Sequence, residues 1–126
     1  MRHRTVRDAR YRYIKNFTPE APFFSPNAYK AKQYPVWNHM QQLHAEAKLN
    51  AVQEILYQPR MPAEELCDLE TDPHEIHNLA ASEKPEHQAA LKKLRTAVEQ
   101  WIEQAGDRGR LPDPDAAPLQ QVPQKP

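Results

Sequence analysis

A cluster of side chains able to bind metal lies near the middle of the chain, at Asp72, His74, Glu75 and His77. Carboxylate and imidazole groups are suitable ligands for zinc and other divalent ions. The pattern fixes no geometry, however, because Pro73 makes this stretch a turn and no further Cys or His group completes a ligand spacing. The residues alone therefore favour a turn, and we predict no metal-binding residue in this chain.

The other candidates for chemistry are weaker. Cys67 is the only cysteine, so the sequence contains no internal disulfide and gives no redox compartment. His39 and His44 are five positions apart, whereas a helical metal pair needs a spacing of about four. Only two glycines occur, both late in the chain, so a phosphate-binding glycine loop is not expected. We predict no catalytic and no cofactor-binding residue.

Basic residues are concentrated at the N-terminus. Clean alternation from Tyr11 to Phe17, after a plausible turn at Asp8-Ala9, predicts a β-hairpin. The first fifteen residues hold six basic side chains opposed only by Asp8, namely Arg2, Arg4, Arg7, Arg10, Arg12 and Lys15. These side chains could bind a polyanion such as a sulfated glycan or RNA. Alternatively they are scaffold, paired with carboxylates of this chain or of a neighbouring domain, and we favour the scaffold.

Length and composition limit the remaining function classes. The chain has 126 residues, enough for one domain, and its formal net charge is zero. No bulk electrostatic case therefore exists for nucleic acid or an anionic membrane, and we predict neither as a partner. No apolar run is long enough to span a bilayer, and the N-terminus lacks the apolar region of a signal peptide.

The sequence of the middle of the chain predicts a loop followed by a helix. Thr18 to Pro35 carries four prolines and several aromatic residues, so we expect a loop that lies against another surface. From Pro35, apolar residues recur at helical spacing as far as Ala47. Leu49-Asn50 interrupts this helix, and a short apolar turn follows before Pro59. Asn16-Phe17-Thr18 also matches a glycosylation acceptor, a pattern so short that it carries little weight.

The second half predicts a strand, a turn and a long helix. Leu66 and Leu69 suit a brief strand that ends before Asp72-Pro73. The clearest helical period runs from Pro85 to about Ala105 and gives a predicted core face at Leu91, Leu94, Val98, Trp101 and Ile102. Its N-terminal cap comes from Ser82 or is weak, and Gly106 ends it. Residues 108–126 hold many prolines and are expected to be disordered.

Three segments, taken together, resemble the C-terminal subdomain of sulfatases. They are the E-L-x-D-L strand followed by D-P-x-E and N-L-A within residues 64–80, the basic hairpin from Met1 to Phe17, and the helix that follows. Asn16 to Glu20 (NFTPE) and Pro62 to Leu66 (PAEEL) most resemble the branch that contains heparan N-sulfatase (sulfamidase). The match runs from about Arg4 to Asp107. Related sequences often carry a glycine near Ala47.

The resemblance implies a parent enzyme whose reactive groups lie elsewhere. Sulfatases hydrolyse sulfate esters or sulfamates at a calcium-bound formylglycine, which is made from Cys or Ser in a C-x-P-S-R-like motif. Cys67 is followed by D-L-E-T and has no Pro or Arg at those offsets. We therefore expect calcium and formylglycine only in a catalytic domain preceding Met1, and this chain to be a truncated or separately encoded portion that is inactive alone.

The resulting fold prediction is α+β. A small antiparallel sheet of two to four strands packs against a long C-terminal amphipathic helix, with a second helix in the central insertion. Residues 1–107 form the sulfatase-like subdomain and residues 108–126 the tail. The expected partner is a sulfatase catalytic domain, in the same chain or separately encoded. Sulfated glycan stays open as a ligand, as do a polyanion-binding module built on the hairpin and a structural domain without ligand.

Overall fold

The computed structural model describes residues 2–112. They form three strands and four α-helices: β1 (His3–Arg7), β2 (Tyr11–Asn16), α1 (Ala28–Gln33), α2 (Pro35–Ala45), α3 (Ala51–Glu54), β3 (Glu64–Asp68) and α4 (Pro85–Gln104). A 3₁₀ turn, Ile55–Tyr57, extends α3. The predicted α+β architecture is confirmed. Residues 113–126, and with them most of the predicted disordered tail, lie outside the described residues, so that prediction stays open.

The sheet is antiparallel in the order β1-β2-β3, with Tyr13 paired to Val6 on one side and Leu66 on the other. The predicted hairpin turn is built by Asp8, whose Oδ1 accepts the backbone N–H groups of Arg10 and Tyr11 at 3.0 and 2.8 Å. This use of a carboxylate is the Asx-type geometry that favours Asp in turns. The alternation predicted for β2 is confirmed, because both tyrosines point into the core.

The long helix α4 covers one face of the sheet. Tyr13 and Leu66 are fully buried beneath it. The core cluster joins the two layers and comprises Tyr11, Tyr13, Leu66, Ala90, Leu91, Leu94, Val98 and Ile102. Burial alternates along β1 and along most of β2, and α4 buries one face with the helical period. In β3, by contrast, Leu66, Cys67 and Asp68 are all buried, so this strand is covered on both faces at its end.

Trp101 is not part of the core, contrary to the prediction. Its side chain is 51% exposed, whereas Ile102 is 7% exposed. The buried face continues from Val98 to Ile102 by a step of four, and Trp101 lies about 100° away around the helix. A sheet of only three strands covers the middle of the predicted stripe and leaves its flank open.

The two ends of α4 differ in how their backbone groups are satisfied. Lys84 occupies the N-cap and makes no capping bond through its side chain, as expected for a weak cap. Gly106 at the other end has φ of +59°, with Gly106 N–H bonded to Glu103 O and Asp107 N–H to Ile102 O. This pair of bonds is the Schellman motif, which needs the left-handed conformation that glycine adopts easily.

Residues 18–63 leave the sheet as a helical insertion. The predicted loop from Thr18 to Pro35 is partly wrong, because α1 lies within it. Asn27 caps that helix, because its side chain accepts the Lys30 N–H at 2.9 Å. Such an N-cap stabilises the start of a helix even where nearby prolines predict a loop. The predicted helix from Pro35 and its interruption near Asn50 are confirmed, and Asn50 caps α3. Ala47 has φ of +53°, the conformation for which a glycine is the usual residue.

The insertion has its own aromatic centre. Phe24 stacks on Trp37 with ring centroids 3.7 Å apart and on Tyr57 at 4.7 Å, and the His44 ring stacks on Tyr57 at 4.0 Å. No residue of α1, α2 or α3 is fully buried. Backbone bonds from Met61 N–H to Pro19 O and from Asn16 N–H to Ala63 O close the base of the insertion.

Within residues 2–112, no helix is both long enough and apolar enough to cross a membrane.

The different burial of Leu94 and Trp101 gives a stability test. Leu94→Ala leaves a cavity between α4 and the sheet and should lower the free energy of unfolding by about 2–5 kcal/mol. Trp101→Ala removes an exposed side chain and should change it by less than about 1 kcal/mol. Urea denaturation followed by circular dichroism measures both. Equal losses for the two variants would contradict the orientation of α4.

Candidate functional site

Most of the basic residues of the hairpin form ion pairs with distant carboxylates of the same chain. Arg4 donates from Nε and Nη2 to the two carboxylate oxygens of Asp107, both at 2.8 Å. This pair joins β1 to the residue that follows the C-terminal turn of α4. Gly109 lies against it, where a Cβ would come within 1.8 Å of Arg4 Nη2. A larger residue at position 109 would therefore require the Arg4 side chain to move away from its present contact with Asp107.

Arg10 makes the most buried of these ion pairs. Its Nη2 donates to Asp68 Oδ2 at 2.7 Å, and its Nε lies 3.1 Å from both oxygens. The Asp68 side chain is 3% exposed and the Arg10 side chain 40%. Hydrogen bonding to Arg10 lowers the pKa of Asp68 to about 2, against the opposing effect of burial. The pair joins the hairpin turn to the end of β3.

Two further pairs tie the sheet to its surroundings. Arg12 donates from Nη1 to both oxygens of Glu75, at 2.7 and 2.8 Å, on the face of the sheet opposite α4. Lys15 Nζ donates to Glu99 of α4 at 2.9 Å. Glu75 has φ of +56°, a conformation that costs a non-glycine residue roughly 1 kcal/mol. The ion pair with Arg12 holds the segment in that conformation.

A polar group that the sequence analysis missed lies between the sheet and α4. Arg95 donates from Nε and Nη2 to the two oxygens of Glu64, both at 2.6 Å, and the Tyr13 hydroxyl donates to Glu64 Oε1 at 2.5 Å. Arg95 lowers the pKa of Glu64, while burial and the nearby carboxylate raise the pKa of Tyr13. The residues are 51 and 31 positions apart in sequence, so no local pattern predicts them.

The structure does not assemble the candidate metal cluster. Glu75 is occupied by Arg12, and Asp72 accepts the backbone N–H of His77 at 2.7 Å, which closes the turn. That contact lowers the pKa of Asp72. Among residues 2–112, no group of three or more His, Cys, Asp or Glu residues could hold a metal ion. His44, the other metal candidate with a defined contact, bonds Glu54 at 2.9 Å and stacks on Tyr57.

Cys67 does not fit the environment of a formylglycine. It lies in β3 with 2% of its surface exposed, and burial raises the pKa of its thiol to about 11. A reactive or modifiable thiol needs access and a lowered pKa. The residues present therefore fit neither formylglycine nor the calcium ion that would accompany it.

Two asparagines have structural roles. Asn78 Oδ1 accepts the N–H groups of Leu66 and Ala80, both at 3.0 Å, and its Nδ2 donates to Glu64 O at 3.0 Å. The predicted backbone contacts of Asn78 are confirmed, and they cover the outer edge of β3, which would otherwise be open to pairing. Asn16, in the glycosylation-like triplet, is buried and donates to Pro62 O at 2.6 Å. Its amide is therefore not accessible to a glycan.

A groove of about 580 Å³ separates the insertion from the sheet. Apolar side chains line most of it, namely Phe23, Ile55, Leu56, Met61 and Pro62. The polar side chains of its lining are Gln58, Arg60, Glu65 and Glu75. Phe23 is 49% exposed and Ile55 48%. Large exposed apolar groups close together mark contact surfaces. We call this surface the insertion groove.

The chain is similar to part of a sulfatase. It is 38% identical over 110 residues to an ulvan-active sulfatase of Formosa agariphila, a match that covers 87% of this chain. A second ulvan-active sulfatase of the same organism is 33% identical over 104 residues, or 82% of this chain. The chain spans only about 18% of the length of each of these relatives. No protein-family model and no solved structure match the chain.

These matches support the resemblance to the C-terminal portion of sulfatases that the sequence motifs indicated. Neither relative is named as a sulfamidase, so the narrower resemblance to that branch stays a prediction. The segments that carried the resemblance also have the structure expected of them. Residues 64–80 form a strand followed by a turn, and the basic segment before them forms a hairpin.

The low pKa of Asp68 predicts a defined dependence of stability on pH. A carboxylate with a pKa of about 2 in the folded chain, below its ordinary 3.8, stabilises the fold above pH 4. This contribution is lost as the pH falls from about 4 to 2. Asp68→Asn should lower the free energy of unfolding by about 1–2 kcal/mol at pH 7, and the difference from the unsubstituted chain should shrink towards pH 2.

Glu70→Gln is the matched control, because Glu70 is exposed and lies 3.5 Å from the same Arg10. It should change stability by a few tenths of a kcal/mol at most. Urea denaturation at several pH values measures both variants. A difference for Asp68→Asn that is constant between pH 7 and 2 would contradict the proposed linkage.

Proposed function

We propose that this chain is a noncatalytic, C-terminal portion of a sulfatase-like hydrolase and packs on the catalytic domain. The observation that carries the proposal is the extent of the matches. Most of this chain aligns with each ulvan-active sulfatase, yet it accounts for only about 18% of each relative. The whole enzyme hydrolyses sulfate esters, and sulfated polysaccharide is the proposed substrate class. Sulfamates, the substrates of the sulfamidase branch, are the narrower alternative.

The chemistry of the described residues supports a noncatalytic role. The single thiol is buried with a raised pKa, and four carboxylates, those of Glu64, Asp68, Glu75 and Asp107, are each paired with an arginine. Such pairing keeps a carboxylate ionised and geometrically fixed, which suits a scaffold better than proton transfer. Calcium and formylglycine therefore belong to the proposed partner domain.

The insertion groove is the proposed docking surface for the catalytic domain. Its lining combines exposed apolar side chains with the charged side chains of Arg60, Glu65 and Glu75, and protein interfaces commonly combine the two. The opposite face of the sheet is already covered by α4, so it offers no comparable surface. The groove also lies where the insertion meets the sheet, and a partner there would contact both parts of the chain.

A chimera tests the proposed relationship. We expect the Formosa agariphila ulvan-active sulfatase, with its matching segment replaced by this chain, to fold and release sulfate from ulvan. This chain alone should release none, because it supplies no nucleophile. Sulfate release, measured by ion chromatography, and thermal unfolding give the two readouts. Sulfate release by the purified chain alone would contradict the noncatalytic role.

Ile55→Lys within the same chimera tests the docking surface. A buried lysine without a partner should lower the melting temperature by several degrees, since it costs roughly 2 kcal/mol or more. Trp101→Lys is the matched control, an exposed apolar residue on α4 changed in the same way, and should have little effect. In the isolated chain Ile55→Lys should be harmless. Equal effects of the two substitutions in the chimera would argue against docking at the insertion groove.

A further inference from the structure

Two exposed tyrosines form a pair at the ends of α1, away from the insertion groove. Tyr29 is 65% exposed and Tyr34 48%. Their rings lie edge to face, with centroids 5.9 Å apart and planes at 71°. Neither ring lines the groove described above. Exposed, mutually oriented aromatic rings present faces of negative potential, which attract the polarised C–H groups of a sugar ring.

The backbone under these rings is held firmly. Asn27 caps the helix, Tyr34 N–H donates to Lys30 O at 2.9 Å, and Asn38 Nδ2 donates to Ala31 O at 2.8 Å. The last bond fastens α1 to α2. These bonds order the backbone that carries the two rings, which reduces part of the ordering cost of binding a ligand.

The two lysines of α1 lie between the tyrosines in sequence. Lys30 Nζ lies 4.6 Å from the centroid of the Trp37 ring, a cation–π contact that orients the ammonium group and leaves its charge uncompensated. Lys32 is exposed. Within residues 2–112, neither lysine has a carboxylate within salt-bridge distance.

The basic residues of the hairpin and those of α1 differ in how many are paired with carboxylates, and this difference favours α1 as the place where an anion would bind. Arg4, Arg10, Arg12 and Lys15 are paired with carboxylates of the chain. Arg7 is exposed and donates to the Asp8 carbonyl oxygen, so a polyanion on the hairpin would meet this arginine among existing ion pairs. On α1, Lys30 and Lys32 are exposed, and Lys30 Nζ contacts the Trp37 ring. Stacking surface and uncompensated positive charge together are the chemistry that recognises an anionic sugar polymer.

We propose that Tyr29, Lys30, Lys32 and Tyr34 form a binding surface for an anionic polysaccharide, with the tyrosines stacking on sugar rings and the lysines contacting sulfate or carboxylate groups. The inference deepens the proposed function and rests on it for the choice of a sulfated polymer. It gives this noncatalytic chain a role in holding substrate. A protein partner on the same surface is the competing possibility, since Val36, which follows Tyr34, is also 65% exposed; the binding test below separates the two.

The test is binding of the full chain to ulvan, to dextran sulfate and to uncharged dextran, measured by affinity electrophoresis and calorimetry. We expect binding to the two anionic polymers, weakening with salt, and none to dextran. The double variants Lys30→Ala/Lys32→Ala and Tyr29→Ala/Tyr34→Ala should each weaken ulvan binding by about tenfold or more. Only the lysine variant should also reduce the salt dependence.

Matched controls remove the same groups elsewhere. Lys92→Ala/Arg108→Ala deletes two exposed positive charges, and Trp101→Ala deletes an exposed aromatic ring; both should bind as the unsubstituted chain does. Circular dichroism checks that every variant folds. Equal loss in test and control variants, loss only on replacing Arg4 and Arg7, or no ulvan binding at all would overturn the proposal. These binding experiments use this chain without a catalytic domain. A failure to bind would therefore leave the chimera test of docking unaffected.

Discussion

The burial of Tyr13 against α4 is the interaction on which the rest of the structure depends. Tyr13 lies on the central strand, is fully buried, and its hydroxyl reaches Glu64 on the neighbouring strand. Glu64 in turn holds Arg95 of α4. One side chain thus supplies apolar area to the core and a polar end that fixes the helix over the sheet. Such a buried polar contact is favourable only when every member is satisfied, and here the carboxylate accepts from both partners.

Ion pairs help to fix the orientation of the hairpin, which so small a core does not fix alone. A three-stranded sheet under one helix buries few large side chains, and domains of this size have little surplus stability. Arg4, Arg10 and Lys15 join the hairpin to residues far along the chain, at Asp107, Asp68 and Glu99. Each exposed pair contributes little alone. Their common effect is to fix the hairpin in one orientation, which explains the basic N-terminus of a chain with no net charge.

Local patterns predicted the elements, whereas long-range contacts decided the details. The alternation from Tyr11 and the helical period from Pro85 were sufficient to predict β2 and α4. They could not show that Trp101 lies on the flank, since that depends on how far the sheet extends. The helix α1 was missed because four prolines dominated the pattern around it, while a single cap at Asn27 started the helix. Motif spacing predicted no catalytic residue, and that stays a prediction; the burial of Cys67 depends on the pairing of β3 and could not be read from its local sequence.

The two parts of the chain differ in how far apart in sequence their paired charges lie. In the sheet and α4, arginines and carboxylates meet across long sequence separations, so these groups are committed to the fold. In the insertion the ion pairs are local, between His44 and Glu54 and between Lys48 and Glu46. Lys30 and Lys32 are exposed, and Lys30 contacts the Trp37 ring. An anionic polymer bound at α1, as proposed, would leave the ion pairs of the sheet and α4 undisturbed, because none of those pairs involves a residue of α1.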